Sequence, residues 1–81
     1  MLKVLFFAQT RELIGIDEIQ IESEFPTAEA LRTHLRQRGD KWALALEKGK
    51  TLVAINQTLM PLESTLKSGD EIAFFPPVTG G

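Results

Sequence analysis

The groups in this 81-residue sequence that offer chemistry stand at its end. Pro76-Pro77-Val78-Thr79-Gly80-Gly81 carries no charged side chain and closes on a carboxylate. Pro76 and Pro77 cannot donate backbone hydrogen bonds, so strand pairing must stop there. They also bias the chain toward an extended, polyproline-like path. Gly80 and Gly81 have no side chains, so their backbone can thread a narrow channel and approach another group closely. Fully extended, this stretch spans about 20 Å at roughly 3.3–3.6 Å per residue. The sequence therefore predicts a domain over residues 1–75 and an extended tail over 76–81, a stiff stalk tipped by a bare carboxylate. Gly81 is the candidate reacting position. Gly80, Thr79, Val78, Pro77 and Pro76 are candidate contacts in a partner's channel, Thr79 polar and Val78 apolar. A frayed terminus is the competing reading of a Gly-Gly end, but a diproline set directly on a Phe-Phe strand argues against it.

The rest of the inventory excludes more than it offers. There is no cysteine and no tyrosine, and His34 is the single histidine. That removes disulfides, thiolate metal sites, Fe–S ligation and a cysteine nucleophile, and a multi-histidine metal site with them. No metal site is expected. A chain of this size buries only about 60–65% of the surface it exposes when unfolded, which leaves little volume for a core and an enclosed cavity together. A self-contained enzyme is not expected. The net charge of -2 argues against nucleic acid, whose binders carry a basic patch. No apolar run approaches the roughly 18 residues of a membrane span. The opening MLKVLFFAQTRELIG lacks a small-residue cleavage site and continues into charged sequence, so it reads as a strand. The cytoplasm is the expected compartment.

The elements that must position the tail follow from periodicity. Leu2–Phe7, apolar except for Lys3, reads as a buried strand. Ala8–Ile14 reads as a short helix or turn closed by Gly15. Ile16–Glu22 alternates, Ile19 and Ile21 on one face and Glu18, Gln20 and Glu22 on the other, as a half-buried strand does. The two strands, close in sequence, are expected to pair antiparallel. Thr27 is a candidate helix N-cap with Glu29 in the first turn. Ala28, Leu31 and Leu35 form its apolar stripe, and Arg32, Arg36 and Arg38 are assigned to other faces or the C-terminal end. Gly39 is expected to end this helix and Asp40 to cap a second short one through Trp42, Ala45 and Leu46. Leu52–Ile55, Thr58–Met60 and Glu71–Phe75 read as strands, the first two joined by an Asn56-Gln57 turn and Met60 followed by a strand-ending Pro61. The sum is an α+β fold, one mixed sheet wrapped on one main helix.

Surface expectations complete the reading. Six acids and no base lie between Glu12 and Glu29, and six bases against two acids between Arg32 and Lys50. Two solvated faces are one account, a polarised surface that steers a protein partner the other. Phe75 and Phe7, on faces the helix does not cover, are candidates for a partner-binding patch, with core packing as the alternative. Arg11 is a candidate contact to a partner's acid, against a solvated arginine. His34 reads as surface and Trp42 as an anchor of the second helical segment.

Several segments carry a resemblance. The ending Gly69-Asp70-Glu71-Ile72-Ala73-Phe74-Phe75-Pro76-Pro77-Val78-Thr79-Gly80-Gly81 resembles that of the molybdopterin synthase small-subunit family, the sulfur carriers of molybdenum cofactor synthesis. Lys3-Val4-Leu5-Phe6-Phe7-Ala8 with Arg11-Glu12, Phe25-Pro26-Thr27 and Val53-Ala54-Ile55-Asn56-Gln57 are similar to the same family, so the resemblance runs along essentially the whole chain. It implies a β-grasp (ubiquitin-like) fold. It also implies a chemistry: an E1-like activating enzyme adenylates Gly81 with ATP, and persulfide-derived sulfur converts it to a thiocarboxylate. The large synthase subunit then takes the tail into its pocket, and sulfur passes to cyclic pyranopterin monophosphate to build the dithiolene. The implied partners are that large subunit, in a heterotetramer, with the activating enzyme and a sulfur donor. No cofactor is bound by this chain, and catalytic side chains belong to the partner. The readings left open are another β-grasp sulfur carrier or modifier, serving thiamine or tRNA thiolation, and a non-covalent binding module.

Overall fold

The computed structural model describes residues 1–77. Strand β1 spans Leu2–Phe6 and buries alternate residues, Leu2, Val4 and Phe6, as period-two geometry requires. The chain then enters helix α1, Ala8–Ile14, with no linker beyond Phe7. Gly15 closes α1 in the left-handed region at φ 82°, its N–H donating to the Arg11 carbonyl at 2.7 Å. Strand β2, Glu18–Ile21, returns antiparallel to β1. It is shorter than the alternating run in the sequence, because Ile16 and Asp17 carry the chain out of the α1 turn.

Helix α2, Ala28–Arg36, begins at Thr27, whose hydroxyl accepts from the Ala30 N–H at 3.1 Å. Its start is stitched to the segment before the last strand, Ala28 and Glu29 donating to the Ser64 and Leu62 carbonyls. Its end differs from the sequence expectation. The Gln37 N–H donates to His34 and that of Arg38 to Leu35, so the last turn tightens three residues back and the helix stops before Gly39. Gly39 instead precedes helix α3, Asp40–Ala45, as its extended N-cap, and the Asp40 side chain makes no capping bond. Strands β3, Leu52–Ile55, and β4, Thr58–Met60, form a hairpin. Asn56 and Gln57 both take positive φ in its two-residue turn, which matches the twist of the flanking strands. Strand β5, Glu71–Phe75, completes the sheet.

The sheet order is β2-β1-β5-β3-β4. β5 lies in the middle, parallel to β1 and antiparallel to β3. One face of the sheet takes the core: Phe6, Phe74, Val4, Ile72 and Val53 pack with Leu31, Leu35 and Leu46. Trp42 meets Phe6 edge to face at 5.5 Å, as an anchor of α3. This is the mixed five-stranded β-grasp arrangement. Arg32 departs from its assignment to an outer face. It is buried, because it sits four residues after Ala28 on the stripe that includes Leu31 and Leu35. Its Nη1 donates to the Leu46 carbonyl at 2.6 Å, and Nε and Nη2 donate to Glu29 at 2.8 and 2.7 Å. Arg32 thereby ties α2 to the end of α3. No described helix is long and apolar enough to cross a membrane.

Candidate functional site

The helices cover one face of the sheet, and strand register decides what the other presents. Residues that alternate with the core positions face outward. Pairing sets Glu18 beside Leu5, Leu5 beside Ala73, Ala73 beside Ala54 and Ala54 beside Leu59, one row across all five strands. The next row toward the end of β5 holds Phe75 opposite Leu52. Phe7, one residue past β1, continues the same register beside Phe75, and its N–H donates to the Phe74 carbonyl at 3.3 Å. In the opposite direction the row is polar: Lys3 lies between Glu18 and Glu71 at 3.9 and 4.0 Å.

The outer face is therefore split. Its charged end lies at the start of β5. Its apolar end, with Phe7 46%, Leu59 64% and Leu52 36% exposed and Phe75 half-buried, lies where β5 runs into Pro76 and Pro77. Exposed apolar side chains of this size on one face are the feature that a protein partner would cover. Behind the tail's root, Pro76 and Pro77 line a groove with Leu13 of α1 and Leu44 of α3. Val78, Thr79, Gly80 and Gly81 lie outside the described residues. Arg11 is exposed on α1 and makes no ion pair among the described residues; it lines a shallow depression with Glu12 and Asp17 and is not part of the apolar rows. His34 is exposed, its ring 4.8 Å from that of Phe25. Leu59 and Leu52 were not legible as site residues. A three-residue strand shows no period, and only pairing reveals that Leu59 shares a face with Phe75.

Two carboxylates hold this frame. Asp70 accepts from Asn56 Nδ2 at 3.0 Å and the Lys67 N–H at 2.8 Å, and Asn56 Oδ1 accepts from the Glu71 N–H. The Asn56 bond, then the backbone N–H, lower the Asp70 pKa below its usual value. This clasp fixes β3 against β5 and so the alignment of Leu52 with Phe75. The Glu29 pKa is lowered chiefly by its hydrogen bond to Arg32. Neither group reaches the apolar rows. Among the described residues no His, Asp and Glu cluster is placed to hold a metal ion. What this arrangement offers is an exposed apolar plate beside the point where the central strand passes into Pro76 and Pro77.

Comparison with known proteins agrees with this geometry. A Haemophilus influenzae protein named molybdopterin synthase sulfur carrier subunit is 82% identical over 81 residues, covering all of both chains. One of the same name from Escherichia coli is 60% identical, again over the full length of both. A solved protein–protein complex of subunits 1 and 2 of the molybdopterin-converting factor from Helicobacter pylori contains a chain that superposes with a TM-score of 0.66 at 30% identity, covering 99% of this chain and 97% of that one. The family model described as the ThiS family matches residues 4–81, and the chain belongs to that family.

Proposed function

We propose that this chain is the sulfur carrier subunit of a molybdopterin synthase. The observation that carries the reading is the meeting of two features at one end of the sheet: the apolar rows around Phe7, Phe75 and Leu59, and the root of the tail at Pro76. Full-length identity of 82% to a protein of that name supports the same reading.

The chemistry resides at Gly81. A free carboxylate is a poor acyl donor. Its oxygen attacks the α-phosphorus of ATP on an E1-like enzyme, and pyrophosphate leaves. The terminal sulfur of a donor persulfide then attacks the acyl carbon, and AMP leaves. A thiol cleaves the S–S bond of the resulting acyl disulfide, the thiol and the donor sulfur leaving as a disulfide, so that a thiocarboxylate replaces the carboxylate. The large synthase subunit binds the apolar plate, takes the tail into its own pocket and passes the sulfur to cyclic pyranopterin monophosphate. This chain supplies the sulfur and the grip, and the general acids and bases belong to the partner. Gly80 keeps the approach to Gly81 free of side chains.

The test is intact mass after incubation with the activating enzyme, ATP and a sulfur donor. The exchange of one oxygen for sulfur adds about 16 Da. A chain lacking Gly81 should stay folded, gain no such mass and fail to restore molybdopterin formation. An unchanged mass in the full chain beside a competent activating enzyme would refute the reading. Gain of the mass followed by transfer to thiamine or tRNA, and none to the pterin, would assign the chain to a different carrier pathway.

A further inference from the structure

Three described residues other than glycine take positive φ: Ala8, Asn56 and Gln57. The last two form a hairpin turn that demands it. Ala8 has no such excuse. It opens α1 at φ 54°, a region that costs an L-residue energy and that only glycine visits freely. Nor does packing require its methyl group, since Ala8 is exposed. Strain of this kind persists where the surrounding structure over-determines it, and it gathers at functional positions.

We propose that Ala8 is a positioning residue whose left-handed backbone holds Phe7 on the outer face beside the root of the tail. The inference rests on the reading of that face as the large-subunit surface. Phe7 is extended, at φ -126° and ψ 160°. Its N–H is bonded to Phe74 of the central strand, and its carbonyl accepts from the Arg11 N–H in the first turn of α1. Phe7 therefore belongs to the sheet on one side and to the helix on the other. The whole reversal from strand to helix falls on one residue, Ala8. A gentler turn would need more chain and would draw Phe7 out of register with Phe75. Alanine has few backbone wells, and between these fixed neighbours only the left-handed one makes the turn. Glycine would make the same turn without strain, but it would also admit many others. The alanine methyl thus narrows the junction to one geometry and orders Phe7 before a partner arrives, which lowers the cost of binding.

Two variants test this: Ala8→Gly, and a chemically synthesised chain with D-alanine at position 8, whose stereochemistry favours the left-handed well. Each is melted, its Phe7 backbone order is measured by NMR in the free chain, and its affinity for the large synthase subunit of Haemophilus influenzae is measured by calorimetry. Ala8→Gly should melt at the same temperature or higher, show a less ordered Phe7, and bind at least about threefold more weakly. The D-alanine chain should melt higher and keep both the order and the affinity of the wild type. The proposal is overturned if Ala8→Gly leaves Phe7 as ordered and binding as tight as before, if it melts lower, or if the D-alanine chain loosens and weakens as glycine does. Failure of the wild type itself to bind would refute the assigned surface instead, while the NMR comparison in the free chain would still decide the role of Ala8.

Discussion

Leu59→Ala separates the surface from the fold more cleanly than any other substitution on the apolar rows. Full burial of a leucine side chain stabilises by about 1.5–3 kcal/mol. Leu59 is 64% exposed, so about two thirds of that, roughly 1–2 kcal/mol, is still available to a partner that covers it. The expected loss of affinity is therefore about 5- to 30-fold. The fold should scarcely notice. Leu59 sits on a three-residue edge strand whose every residue is exposed, opposite the small side chain of Ala54. Truncating it forfeits a cross-strand contact of about 0.5 kcal/mol, or some 2–4 °C in melting temperature for a domain of this size. Calorimetric titration against the large subunit, run beside thermal unfolding of the free chain, reads both quantities. Lys41→Ala, an exposed change on α3, should alter neither. Binding by Leu59→Ala within a factor of about two of wild type, or an equal loss in Lys41→Ala, would refute the assignment of this face.

Two further expectations concern the frame. Arg32→Met keeps the apolar stem but removes three donors, which leaves the Leu46 carbonyl without its partner and Glu29 with only the more distant, exposed Lys48 at 4.0 Å. An orphaned buried acceptor costs about 1–3 kcal/mol, and with the lost ion pair a total of roughly 2–4 kcal/mol should lower the melting temperature by about 10–20 °C; a drop of only a few degrees would show that the Arg32 tie is dispensable. The Asp70 carboxyl is held below its usual pKa, so its contribution is fully present above the ordinary carboxylate range, near pH 4, and is lost as pH falls through the lowered folded value. Melting temperatures measured across the acid range should accordingly fall less steeply in Asp70→Asn than in the wild type, and equal slopes would count against the clasp.

The sequence made elements legible where a pattern was long enough to have a period. The alternation of Leu2, Val4 and Phe6, the capping hydroxyl of Thr27 and the stripe of Ala28, Leu31 and Leu35 each announce their conformation locally. Where the deciding partner is distant in sequence, the local signal misleads or falls silent. Arg32 has the spacing of a core residue and the charge of a surface one, and charge suggests exposure until the Leu46 carbonyl, fourteen residues away, is in place. Gly39 looks like a helix terminator because glycine often is one, yet the chain tightens earlier as Arg38 lies over the Trp42 ring, 5.1 Å from its centroid. Leu59 has no period at all in its three-residue strand, and its face is set by Ala54, Ala73 and Leu5, none adjacent in sequence.

On the proposed reading, the strand that carries the root of the tail accounts for how so small a chain takes part in a group transfer. β5 is hydrogen-bonded on both edges, to β1 and to β3, so its last residue is among the best-anchored backbone in the molecule. An edge strand such as β4 could have carried a tail, but a pull on it would peel one ladder; a pull on β5 must break two. Phe75 belongs both to that strand and to the apolar plate, so the exposed apolar face and the root of the tail share a residue. From there Gly81 can reach no farther than about 20 Å, so the proposed function requires the partner's reacting centre to lie within that distance of Phe75. On that proposal the domain sets a distance: where the plate docks would decide where the carboxyl carbon can arrive.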